Sequence, residues 1–180
     1  KYNKLISSIP LPELCGIING IPKRVKLASQ KLRYTSGILV SLGLKKKINC
    51  KTWFYIYDKE VKAARVHSPS LKSPGNAPKG CSSLQAEIYF DSKNKNQNLN
   101  LNKIEKNTIN SLIKMGVIEE KNIVVKDIRV VKYANVTFDK HIYKNRKIVH
   151  DYLNNKDIHY IGRYGEWAYI WSDQAFLTGK

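Results

Sequence analysis

Between Tyr34 and Tyr133 the chain keeps returning to short aliphatic, β-branched and aromatic runs separated by charged or Pro/Gly-rich turns. Tyr34 to Leu44, Trp53 to Tyr57, Ala63 to Val66, Ser82 to Phe90 and Ile123 to Tyr133 each read as a strand, with Lys45-Lys46-Lys47 and Asp58-Lys59-Glu60 as turns. Aromatic and β-branched runs joined by short charged turns predict an antiparallel sheet. Lys4 to Ile9 reads as one more short strand. Helical spacing flanks this block. Pro10 to Glu13 opens a helix through Leu14 and Ile17 with Gly20 past its end, and Val25, Ala28 and Leu32 share a face within Pro22 to Leu32. Ile104, Thr108, Leu112 and Met115 keep helical spacing up to Gly116, placed as a C′ glycine, and Asp139 is the expected N-cap of a helix carrying Ile142, Val149 and Leu153. The fold class that follows is α+β, a mainly antiparallel sheet with flanking helices. Ser68 to Gly80 reads as a Pro/Gly/Ser loop, and the Asn/Lys tract from Lys93 to Lys103 as mobile surface.

Charge narrows the function classes less than its size suggests. A formal net charge of +18 over 180 residues raises nucleic acid or an anionic surface as a partner. The excess, however, is nearly all lysine spread along the chain, and only Arg24, Arg33, Arg65, Arg129, Arg146 and Arg163 supply the bidentate fork used to read bases and phosphates. A solvated surface is the better reading, and a non-catalytic lysine-rich polyanion binder is the rival. Cys15, Cys50 and Cys81 form neither a disulfide framework nor a zinc pattern, which favours a reducing cytoplasm. His67, His141, His150 and His159 show no metal-ligand spacing and no nucleophile motif. No apolar run reaches the length of a membrane span.

The closing stretch, Tyr160 to Lys180, carries the chemistry. Gly162, Arg163 and Gly165 make a tight cationic turn, Trp167, Tyr169 and Trp171 alternate as on one strand face, and Ser172 or Asp173 is the expected N-cap of a last helix. A Gly-Arg turn, a row of rings and a helix start suit a flat anionic ligand, because free amides and the helix dipole favour negative charge.

The spelling G-R-x-G-x-(W/Y)-x-Y-x-x-x-D-Q, met by Gly162, Arg163, Gly165, Trp167, Tyr169, Asp173 and Gln174, resembles the C-terminal FAD-contacting segment of the flavoprotein superfamily of amine oxidases, protoporphyrinogen oxidases and UDP-galactopyranose mutases. The mutase branch is the most similar. Ser7-Ser8-Ile9-Pro10, Trp53 to Asp58, Ala64-Arg65, Asn76-Ala77-Pro78, Gln85-Ala86-Glu87 and Tyr133 to Val136 also look like parts of these flavoproteins. The resemblance implies residues 1–32 as the tail of an FAD-binding Rossmann-like domain, 33–154 as a substrate domain, and 155–180 as the FAD-contacting return. It implies FAD as cofactor, held in part by Gly162, Arg163, Gly165, Asp173 and Gln174. It further implies a small-molecule substrate, a nucleotide sugar in the mutase-like alternative, met by Trp53, Tyr55, Arg65, Trp167 and Tyr169. Arg65 equally suits a strand charge paired with Glu60 or Glu87. The ten glycines include no G-x-G-x-x-G fingerprint. With Lys1 first and Met115 the only methionine, the expectation is a C-terminal piece of an FAD-dependent oxidoreductase whose N-terminal FAD-domain portion lies upstream, with a degenerate fragment as the further alternative.

Overall fold

A computed structural model describes residues 3–48, 50–91 and 99–180. In chain order the elements are β1 (Leu5–Ser7), α1 (Leu11–Ile17), α2 (Lys23–Gln30), β2 (Tyr34–Leu44), β3 (Trp53–Tyr55), β4 (Arg65–His67), α3 (Pro69–Lys72), β5 (Ser82–Asp91), α4 (Leu101–Lys114), β6 (Ile123–Val136), α5 (Ile142–Asn155), β7 (Ile158–Tyr160), α6 (Gly162–Gly165) and α7 (Ser172–Leu177). The chain divides into two units: Ser36–Ala134, and the two terminal segments Lys1–Thr35 and Asn135–Lys180. The fold class is α+β.

The middle unit is a five-stranded antiparallel sheet in the order β3-β4-β5-β2-β6. Its register pairs Trp53 with His67 and Tyr55 with Arg65, then Arg65 with Glu87 and His67 with Gln85. Period-two alternation sorts the faces. Ile38, Val40, Leu42 and Leu44 of β2, Val66 of β4, and Leu84, Ala86 and Ile88 of β5 make the core with Ile109 and Leu112 of α4. Trp53, Tyr55, Arg65, His67, Ser41, Gln85, Glu87 and Tyr89 occupy the alternate positions and so the other face. The α4 helix starts on Asn100, whose side chain accepts from the Lys103 amide at 3.0 Å, and stops at Gly116, whose φ of +70° only glycine adopts without strain. Of the tract expected to be mobile, residues 93–98 lie outside the described residues, and Leu101 to Lys103 are the first turn of α4.

The terminal segments build the other unit from α1, α2, α5 and the parallel pair β1–β7, in register Leu5 with Ile158 and Ser7 with Tyr160. Leu11, Leu14, Val25, Ala28, Ile142, Val149 and Leu153 are buried along the helices, with α2 packed on α5. The α5 helix thus groups with the chain ends.

Three local expectations are corrected. Asp139 is not the N-cap of α5; it makes a turn one step earlier, accepting from the His141 amide at 2.9 Å, and His141 occupies the cap position. The Ser68–Gly80 stretch is not plain loop, because Ser68 caps the turn α3 and a 3₁₀ turn follows at Pro74–Asn76. The Trp167-Tyr169-Trp171 strand does not exist. Among the described residues no helix is long and apolar enough to cross a membrane.

Candidate functional site

The closing segment begins where β7 ends. Gly162 takes φ +74°, donates its amide to Thr178 Oγ1 at 2.7 Å, and starts the single turn α6. Gly165 lies against β1 and β7: a Cβ there would stand 3.2 Å from the Ser7 carbonyl oxygen, which the Ile161 amide already fixes at 2.9 Å. Packing of backbone on backbone requires this glycine, so Gly165→Ala should lower stability by about 1–3 kcal/mol, read as the midpoint of urea unfolding.

Trp167 explains why no strand forms. Its φ of +48° turns the chain after α6 and buries the indole completely, while Tyr169 and Trp171 remain more than half exposed. The ring meets Tyr34 edge-on at 6.2 Å, and its carbonyl accepts from Arg146 Nη1 at 3.4 Å. Arg163 lies along the same segment. Its Nε and Nη2 donate to the Ile170 carbonyl at 2.9 and 2.6 Å, and its guanidinium sits 5.1 Å from the centre of the Tyr169 ring. The last helix is capped by neither expected residue. Trp171 is the N-cap, its amide donating to Gln174 Oε1 at 2.8 Å, with Ser172 and Asp173 already in the first turn. Gln174 therefore serves the helix start, and Asp173 is exposed.

Behind the segment, α5 contributes two residues that sequence reasoning missed. The His150 ring stacks on Tyr160 at 4.0 Å, and its Nε2 is 3.1 Å from the Gly165 carbonyl oxygen. Burial pushes the His150 imidazole below its ordinary value, and the nearby charge of Arg146 adds to this. Burial likewise raises the Glu166 carboxyl, against the opposing charge of Arg146. The available signal was the α5 spacing, since Arg146 and His150 are four apart and share a helix face.

In the sheet unit, three of the residues expected to contact substrate are neighbours across β3 and β4. Trp53 and Tyr55 are about half exposed, and Lys72 stands 5.5 Å over the Trp53 ring. Arg65 is engaged by Glu87: Nη2 lies 2.8 Å from both carboxylate oxygens and Nε lies 3.1 Å from Oε2. The same carboxylate receives the Tyr89 hydroxyl and faces His67 Nδ1 at 3.1 Å. Burial alone would raise the Glu87 carboxyl, but the nearby His67 ring and the hydrogen bonds from Arg65 and Tyr89 outweigh it and hold the group at about 2. Hydrogen bonding to Glu87 in turn holds Arg65 above its ordinary value. The pairing with Glu87, one of the two readings of Arg65, is therefore present. His67 and Tyr89 were the missed partners, legible as i+2 neighbours of Arg65 and Glu87.

Comparison with known proteins places this geometry in a fold. The chain matches the structure of a reduced UDP-galactopyranose mutase with TM-score 0.81 and 21% identity, over 94% of this chain and 37% of that one. It also matches a protein of Exiguobacterium sp. 255-15 that carries a provisional protoporphyrinogen oxidase assignment, with TM-score 0.65 and 13% identity over 90% and 36% of the two chains. A third match is a Pyrococcus furiosus protein, with TM-score 0.52 and 14% identity over 72% and 31%. No family model and no curated protein sequence matches the chain. The chain spans little more than a third of the first two proteins, and it has the fold of that part of them.

Proposed function

We propose that this chain is the C-terminal part of an FAD-dependent oxidoreductase of the amine oxidase-like superfamily, carrying the substrate domain and the closing flavin-contacting segment. The observation that supports it most is the fold likeness over 94% of the chain, with the G-R-x-G spelling at the end of β7. Residues 1–32 and 155–180 then complete a Rossmann-like domain whose phosphate-binding fingerprint lies elsewhere in the protein.

The residues present fit one side of such a cofactor. A Cβ at Gly162 would meet open space, and α6 and α7 both begin within this segment. Arg163 contributes positive potential beside them, steered by the Ile170 carbonyl and the Tyr169 ring. Gly165 acts by close backbone packing, and Gln174 by capping α7 with its side-chain oxygen. When bound, FAD supplies the redox or covalent chemistry. Trp53, Tyr55 and Arg65 form the substrate-facing group in this reading, with Glu87 fixing the guanidinium. The stronger likeness to the mutase favours a second reading, a mutase-like activity on a nucleotide sugar.

Expression from the coding sequence extended upstream of Lys1 tests the proposal. The product is expected to purify with a visible flavin spectrum, and Arg163→Ala is expected to weaken flavin retention by roughly tenfold or more, in line with loss of a charge-assisted contact. A colourless extended product that does not take up added FAD would overturn the reading. Turnover of a nucleotide sugar only after flavin reduction would select the mutase-like form.

A further inference from the structure

A cavity in the sheet unit is lined by none of the closing-segment residues and is independent of the flavin reading. It encloses about 530 Å³ between the Lys47-Ile48 turn and the loop joining β4 to β5. That is the size of a small-molecule pocket. A second cavity, at the start of β1 and β7, is smaller, about 350 Å³, and is lined by Asn3, Lys4, Asn19, Lys156 and Asp157 among others.

The loop that forms the larger cavity is fastened at several points, so the walls are built before any ligand arrives. The Ser68 side chain is fully buried; its hydroxyl donates to the Ser83 carbonyl at 2.7 Å and caps α3. Ser70 and Ser83 exchange amide-to-hydroxyl bonds of 3.1 and 2.9 Å, and Asn76 Nδ2 donates to the Pro69 carbonyl at 3.2 Å. The Ser82 hydroxyl donates to the Lys46 carbonyl and ties the opposite rim down. Pro74 and Pro78 restrict the backbone further. A preformed wall reduces the ordering cost of binding.

The lining dictates the ligand. Ile48, Leu71, Pro74, Ala77 and Pro78 supply an apolar floor and walls, and Leu71 is 44% exposed. Among the described residues, the charged ones that line the cavity are Lys47 and Lys79, and none is a carboxylate. An apolar body would cover the floor, at roughly 25 cal/mol per Å² removed from water, and a single anionic head would sit between two lysines. A neutral hydrocarbon would leave those cations unused, and a polyanion would gain nothing from the floor. We infer that this cavity binds a small amphipathic anion, an organic carboxylate with an unbranched or aryl apolar body.

Decanoate is the probe, titrated into the 180-residue chain by calorimetry, with decanol as its uncharged counterpart. Saturable one-site binding is expected, with decanol weaker by roughly tenfold or more, the scale set by two exposed charge contacts. The charge reversal Lys47→Glu with Lys79→Glu is expected to weaken decanoate by at least as much, and Ala77→Trp to abolish binding by filling the space. The Cys81 thiol, which lines the cavity, gives a reading on the unaltered chain: its alkylation by iodoacetamide, followed by peptide mass mapping, should slow under saturating decanoate, while Cys50, outside the lining, should not change. Equal affinity for decanol and decanoate, or undiminished Cys81 alkylation at saturation, would sink the inference.

Discussion

Glu87→Ala is expected to lower the unfolding free energy by about 3 kcal/mol, the lower end of the cost of breaking a buried ion pair. The lower end applies because Arg65 keeps 32% of its side chain exposed and recovers some hydration once its partner is gone, whereas the Glu87 side chain is 7% exposed. Two groups lose their acceptor at once, the Arg65 guanidinium and the Tyr89 hydroxyl, and His67 Nδ1 loses the carboxylate that stands 3.1 Å away. Removing one acceptor shared by several partly buried donors costs more than the pairwise bonds suggest. Glu87→Gln keeps the shape but loses the charge, and about 2 kcal/mol is expected from the weakened charge-assisted bonds. The acid limb gives the sharper test. The folded carboxyl titrates at about 2 against an ordinary 4.5, so between those values the unfolded chain binds more protons. Its contribution is complete above the ordinary value and is lost as pH falls toward 2, a swing of about 3 kcal/mol. Urea unfolding from pH 6 down to pH 2.5 should therefore show a stability loss in the wild type that is much reduced in Glu87→Gln. Parallel acid limbs in the two proteins would mean that Glu87 is not the group holding this face of the sheet.

The same cluster shows what a sequence can and cannot convey about this fold. The bounds of β2 at Tyr34 and Leu44 were legible to the residue, because one face alternates Ile38, Val40, Leu42 and Leu44 and Lys45-Lys46-Lys47 ends the pattern. The α4 helix was legible from the Ile104-Thr108-Leu112 spacing and Gly116. Arg65 could be assigned a strand charge but not a partner, since Glu60 is near in sequence and Glu87 lies across the β4–β5 register. Pairing across strands depends on register, which local periodicity does not encode. The closing segment failed for a different reason. W-A-Y-I-W satisfies period two perfectly, yet burial of one indole against Tyr34 outweighed local propensity and drove residue 167 into a left-handed conformation. A matching family spelling therefore did not fix the local geometry throughout: Gly162, Arg163 and Gly165 do form a tight turn, whereas Gln174 caps α7 and Trp167 lies in the core rather than in a row of rings.

Trp167→Ala should be the most damaging single truncation in the terminal unit. Trp167 is the largest completely buried side chain, and removing a buried aromatic typically costs about 3–5 kcal/mol. The loss would fall on one place, since the indole holds the turn after α6 against Tyr34 and its carbonyl is the acceptor for Arg146. Backbone and side-chain contributions can be separated there. Alanine at 167 keeps the strained positive φ, whereas glycine removes it, so Trp167→Gly should be more stable than Trp167→Ala by about 1 kcal/mol despite losing one more carbon. A helix or strand position would give the opposite order. Fluorescence offers an independent reading, because Trp53 and Trp171 are 47% and 59% exposed and Trp167 is not exposed at all. Acrylamide should quench two of the three tryptophans readily and leave a protected component that disappears in Trp167→Ala. If that component persisted, or if both substitutions cost less than 1 kcal/mol, Trp167 would not be the anchor of the closing segment. The positions of Arg163 and Gly162, on which the flavin-contacting reading rests, would then have to be fixed by Thr178 and Ile170 alone.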